Sequence, residues 1–130
     1  MKIRIKKGRL ENLSNEAIVV YHYENDKKPA GKAAVIDAKC DGQIKALLRT
    51  GDFEGKLNQT AVVYTSKGVP AKRIIMLGLG KKKELNAEKL RGAFAKAAQQ
   101  VRNLKLKEFA VSFDLDVKSL PLDVLSEAAV

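Results

Sequence analysis

The candidates for chemistry in this 130-residue chain are few: one histidine, one cysteine, the carboxylate pairs Asp52/Glu54 and Asp114/Asp116, and a glycine–lysine turn. His22 closes the β-branched run Ala17-Ile18-Val19-Val20-Tyr21. It has no second histidine or cysteine to complete a ligand set, so it reads as a polar strand-end residue. With Cys40 the only thiol, neither a zinc cluster nor a nucleophile–base pair can be assembled from the pattern. Asp52 and Glu54 are spaced for acid–base work, but they sit between Gly51 and Gly55 with no base or metal ligand near them. They read as solvated turn residues. Asp114 and Asp116 invite a metal, yet no further ligand follows, and strand-end solvation is the plainer reading.

Gly78-Leu79-Gly80-Lys81 is the remaining candidate. It is not a P-loop, because the four-residue spacer and the Ser/Thr for magnesium are missing. It is not a dinucleotide fingerprint either, since Lys83 stands where the third glycine belongs. An anion nest beside Lys81, Lys82 and Lys83 stays open; a tight turn before a helix is the simpler reading. No residue is assigned a catalytic, metal-ligating or cofactor-binding role.

The element that must position this turn is the stretch Val69 to Leu104. Arg73-Ile74-Ile75-Met76-Leu77-Gly78-Leu79 is apolar on both alternating faces, as a central strand covered on both sides requires. Gly78 and Gly80 are expected to interrupt it, with Lys81–Glu84 as surface loop. From Asn86 the period turns helical, and Leu90, Phe94, Ala97, Ala98, Val101 and Leu104 form one stripe. Strand, turn and helix make an α/β unit to which the rest adds layers.

Upstream, Ile3–Ile5 is expected as a strand near a sheet edge, and Glu16–Tyr21 as a deeper one. Glu24–Gly31 is a polar connection. Ala33–Thr50 reads as helix, burying Ile36, Ile44, Leu47 and Leu48, with Asp41-Gly42 breaking or kinking it. Gly51–Lys56 is a turn anchored by Phe53, and Thr60–Thr65 another strand. Downstream, Phe109, Val111 and Phe113 line a fifth strand. Ser119-Leu120-Pro121 then opens a last helix carrying Leu122, Leu125 and Ala129, with Ser119 as its cap. That helix has scarcely formed at Val130, so a domain boundary or a cloning boundary is expected there. The fold class is α/β: one domain over 1–130, with a mixed, largely parallel central sheet of about five or more strands flanked by helices.

Charge and composition bound the partners. The net charge is +10, and Lys72 to Lys107 supplies +9 of it, from eleven Lys or Arg and two Glu. So concentrated a charge suits an anionic surface such as nucleic acid. Against this, the helical cations are spread around the polar arc. Aromatics are 5% of residues and Trp is absent, which leaves little for bases to stack on. A solvated flank is the plainer reading, and any DNA binding is expected to be weak and nonspecific. The lone cysteine fits a reducing compartment. Met1–Lys6 alternates charge with isoleucine, unlike a signal peptide. No window approaches the roughly 20 apolar residues of a membrane span. A soluble, cytoplasmic protein is expected.

Three motifs taken together resemble a family. They are Leu47-Leu48-x-x-Gly51-Asp52-Phe53-x-Gly55-Lys56, then Ile75-x-Leu77-Gly78-Leu79-Gly80-Lys81, then Leu90-Arg91 leading an alanine-rich helix. Their order and spacing resemble the N-terminal domain of the leucyl (cytosol) aminopeptidases, over nearly the whole chain. The resemblance implies a macro-domain-like three-layer domain followed by a larger catalytic domain in the same polypeptide. It also implies a homo-hexamer and two divalent metals, zinc or manganese, that activate water and polarise the scissile carbonyl. The family's catalytic motif Asn-Thr-Asp-Ala-Glu-Gly-Arg does not occur here, so no catalytic or metal residue carries over. The chain alone is expected to be inactive, with folding support, subunit contacts and shaping of active-site access as its roles. Two other readings remain. One is a macro-domain-like binder of ADP-ribose or a nucleotide, although Ala17–Tyr23 lacks an asparagine-rich strand end and Lys28–Lys32 a glycine-rich phosphate loop. The other is a basic accessory DNA-binding domain.

Overall fold

The computed structural model describes residues 2–5, 17–24, 26–65, 68–106 and 108–111. In chain order these form β1 (Lys2–Ile5), β2 (Ala17–His22), α1 (Lys32–Lys39), α2 (Gln43–Thr50), β3 (Thr60–Tyr64), β4 (Arg73–Gly78), α3 (Ala87–Asn103) and β5 (Glu108–Val111). The strands make one five-stranded sheet in the order β1-β5-β2-β4-β3. Every neighbouring pair is parallel except β3–β4. The sheet is therefore mixed and largely parallel, with β1 on one edge as its alternation predicts.

β4 is an interior strand, between β2 and the edge strand β3, and its sequence explains why. Ile74 to Leu77 are each fully buried, with β2 and β3 paired on either side. Successive side chains of a strand point to opposite faces, so one strand feeds two cores. Ile75 and Leu77, with Val19 of β2, pack on Leu90, Phe94, Ala97 and Val101 of α3. Ile74 and Met76, with Ile18 and Val20, pack on Ile36, Ile44 and Phe53 beneath α1 and α2. The result is three layers, α3 over the sheet over α1–α2.

The helices follow local chemistry. Asn86 caps α3, its side-chain oxygen accepting the Lys89 N–H at 2.8 Å. The expected Ala33–Thr50 helix is two helices, because Asp41 (φ 56°) and Gly42 (φ 78°) are left-handed and end α1 at Lys39. Asp37 then reaches forward, and its Oδ1 accepts the N–H of Ile44 (2.8 Å) and Lys45 (3.1 Å), capping α2 from the preceding helix. Of the four expected buried positions, Ile36 and Ile44 are fully buried, and Leu47 and Leu48 half-buried.

Two boundaries differ from expectation. Gly78 does not interrupt the strand; it is the last residue of β4, in register with His22, and an irregular stretch follows from Leu79. Lys81–Glu84 is exposed as expected, but Lys82–Glu84 tightens into one 3-10 turn. Phe113, Asp114, Asp116 and the last helix from Ser119, with Leu122, Leu125 and Ala129, lie outside the described residues. Among the described residues no helix is long and apolar enough to cross a membrane.

Candidate functional site

In an open, largely parallel sheet the carboxyl ends of the central strands are where a ligand has room to sit. Here those ends are His22 on β2 and Gly78 on β4. The chain itself covers them. Gly51 (φ 80°) ends α2 in the left-handed region and turns the backbone back over the sheet. Phe53 drives a fully buried ring beneath the turn, its centroid 6.1 Å from that of His22. From there residues 52–59 run across the strand ends as a strap.

The sheet and the strap use the polar groups of Gly78, Leu79 and Gly80. Gly78 N–H donates to Gln59 O (2.8 Å), Leu79 N–H to His22 O (3.1 Å) and Gly80 N–H to Gly55 O (2.9 Å). Asn58 N–H donates in turn to Gly78 O (3.1 Å), and Glu24 N–H to Gly80 O (2.9 Å). All three amides that an anion nest would need are bonded to carbonyls within the chain. The expected tight turn is not formed here: Gly78 ends β4, Leu79 continues beside His22, and only Gly80 (φ 71°) takes a left-handed conformation.

Beside the strap a cleft of about 180 Å³ is lined by Tyr21, His22, Tyr23, Asp26, Ala30, Gly31 and Lys82. Tyr21 and Tyr23 meet edge to face at 6.1 Å, and the Lys82 ammonium lies 5.7 Å from the Tyr23 ring centroid. His22 forms part of the wall, 2% exposed, and its Nε2–H donates to Asp26 O at 2.6 Å. A histidine satisfied by a backbone carbonyl is the strand-end residue that its pattern suggested.

The other chemical side chains are not brought together. Asp52 and Glu54 are exposed on the strap, and the Glu54 carboxylate lies 3.8 Å from the Lys56 ammonium. Cys40 is buried between α1 and α2. Burial pushes its thiol pKa up, and the nearby Asp37 and Asp41 carboxylates raise it further. Lys81, Lys82 and Lys83 are exposed just after Gly80, and Arg91, Lys96 and Arg102 lie on the exposed side of α3. The residue that sequence reasoning missed is Gln59. Its Oε1 accepts the N–H of Glu54 (2.9 Å), Gly55 (3.1 Å) and Lys56 (3.2 Å), and its Nε2 donates to Asp52 O (3.3 Å). A side-chain clamp on a loop leaves no periodic signal; Gln59 just before a strand was the sole mark.

The two metals that the resemblance implies require a set of carboxylate, imidazole or similar donors. Among the described residues no group of three or more His, Cys, Asp or Glu is placed to hold an ion. The described donors do not fit a two-metal centre, and no chemical step is assigned to the described residues.

The three-layer α/β arrangement with this strand order is a macrodomain-like fold. The chain is similar in fold to the macrodomain of Mycobacterium tuberculosis DarG, with a TM-score of 0.74 at 17% identity, covering 97% of this chain and 86% of that one. It is similar also to a mutant of tomato leucine aminopeptidase, with a TM-score of 0.71 at 20% identity, over 92% of this chain and 24% of that one. Sequence carries the assignment further. The model of the cytosol aminopeptidase family, N-terminal domain, matches residues 18–130. The chain belongs to the cytosol aminopeptidase family, as its N-terminal domain. A probable cytosol aminopeptidase of Alkaliphilus oremlandii is 32% identical over 112 residues, which are 86% of this chain and 22% of that protein. The chain thus spans about a fifth of the length of the curated relatives it matches.

Proposed function

We propose that this domain is the non-catalytic N-terminal part of a two-metal leucyl aminopeptidase, a hydrolase that removes N-terminal amino acids from peptides. In this reading it assists assembly and shapes access to active sites held by a C-terminal catalytic domain of the same polypeptide. The metals, zinc or manganese, and the homo-hexamer belong to that parent in the cytoplasm. The family match over residues 18–130 carries the reading. The strap supports it, since a domain whose strand-end crevice is filled by its own backbone is suited to making contacts. The same filling weighs against the nucleotide-binding alternative. A second reading rests on the exposed Lys81–Lys83 and the cations of α3, which suit weak, sequence-indifferent binding of DNA.

The test is to express the 130-residue chain alone and the whole reading frame that contains it, then assay hydrolysis of leucine p-nitroanilide with manganese or zinc. Activity is expected only from a longer product carrying the two-metal motif. Comparable turnover by the 130-residue chain would overturn the assignment, as would a reading frame that stops without the motif.

A further inference from the structure

We propose that Asp52–Gln59 is a latched strap, and that the Gln59 carboxamide is the latch that keeps the carboxyl ends of β2 and β4 closed. The geometry separates what lies under the strap from what holds it. Underneath, Gly55 (φ 83°) lies so close to His22 and Tyr23 that a Cβ would crowd the imidazole and the Tyr23 carbonyl. Its carbonyl holds the Gly80 N–H. These contacts need the strap to run flat across the strand ends, with Glu54, Gly55 and Lys56 turning their N–H groups to the same side. Three successive amides converging on one point are unfavourable without an acceptor. Gln59 Oε1 is that acceptor, at 2.9, 3.1 and 3.2 Å.

The residue type follows from the same contacts. The carboxamide also donates from Nε2 to Asp52 O, at 3.3 Å, so one side chain ties the first end and the middle of the strap to the start of β3. A carboxylate would keep the threefold acceptor and lose only this longer donor contact. A methionine would keep the length and lose both. Gln59 is thus a positioning residue.

Amide hydrogen exchange on the 130-residue chain tests it. In Gln59→Met the N–H groups of Glu54, Gly55, Lys56 and Gly80 are expected to exchange about tenfold faster or more, since three hydrogen bonds to one acceptor are lost. The central β4 amides of Ile75 and Met76 should keep wild-type rates. Gln59→Glu at neutral pH should restore slow exchange at 54–56 and at Gly80. Wild-type rates at Gly80 in Gln59→Met would show that Phe53 packing alone holds the strap, and would overturn the latch. If Gln59→Met does not fold, Gln59→Leu, which also lacks the acceptor, is read in the same way: faster exchange at Gly80 supports the latch, and wild-type exchange there refutes it.

Discussion

Gly78 lies against the carbonyl oxygen of Lys56 so closely that a side chain at 78 has no room. A Cβ there would collide with that oxygen and with the Gly55 carbonyl group. Two of the motifs by which the sequence resembles its family, Gly51–Lys56 and Ile75–Lys81, are thus the two halves of one contact, strap against strand end.

Gly78→Ala tests how rigid that contact is. The obstacle is backbone rather than the end of a flexible side chain, so the strap must lift or β4 must shift. Overpacking of this kind costs about 1–3 kcal/mol. Urea denaturation should show a lower midpoint with an unchanged slope, and a loss below about 0.5 kcal/mol would mean that the strap yields freely.

Much of the fold was legible because it rests on periodicity. Ile74–Leu77 announced a central strand by being apolar on both faces, and the Leu90–Val101 stripe announced the helix above it. What was not legible rests on single side chains that bond to distant backbone. Asp37, mid-helix in a sequence reading, caps the next helix, and its partners Ile44 and Lys45 lie seven and eight residues on. Gln59 clamps amides three to five residues back. Gly78 looked like a strand breaker because glycine usually is one; here the close approach of Lys56 O requires it inside the strand. The candidate site was hardest to read, since the strap's closure depends on these contacts and on no catalytic residue type.

The Asp37 cap can be measured. Asp37 is buried at the junction and satisfies two amides at the start of α2, whose own Ncap, Gly42, offers no side chain. Asp37→Ala should destabilise the domain by about 1–2 kcal/mol, the range of lost N-caps. Asp37→Asn retains an acceptor oxygen and should lose less. Equal losses for the two variants in thermal or urea unfolding would place the effect in packing rather than in the cap.

Cys40 gives a prediction in pH. Its folded thiol holds its proton more tightly than an unfolded one, chiefly through burial and then through Asp37 and Asp41. As pH rises through the ordinary thiol range, about 8.5, the unfolded chain loses the proton first and binds fewer protons than the folded one. Stability is therefore retained below that range and falls as pH climbs above it. Cys40→Ala should unfold with a shallower alkaline decline than wild type, and superimposable alkaline profiles would contradict the mechanism. A thiol reagent at neutral pH should also modify native Cys40 far more slowly than the urea-unfolded chain.

The charge of the Lys72–Lys107 segment makes the last test quantitative. Lys81, Lys82 and Lys83 are exposed together beside the closed crevice, while Arg91, Lys96 and Arg102 lie on α3. If this surface holds DNA through phosphates, binding should be indifferent to sequence, and its logarithm should fall linearly with the logarithm of salt concentration. Replacing Lys81, Lys82 and Lys83 together by Gln should then reduce that slope by about 0.9 for each lysine that meets a phosphate. Fluorescence anisotropy with duplexes of two unrelated sequences, at low and physiological salt, separates the outcomes. A slope that survives the triple substitution moves the contact to α3. Affinity unchanged by salt removes the electrostatic reading altogether, and leaves the segment as the solvated flank of the central unit.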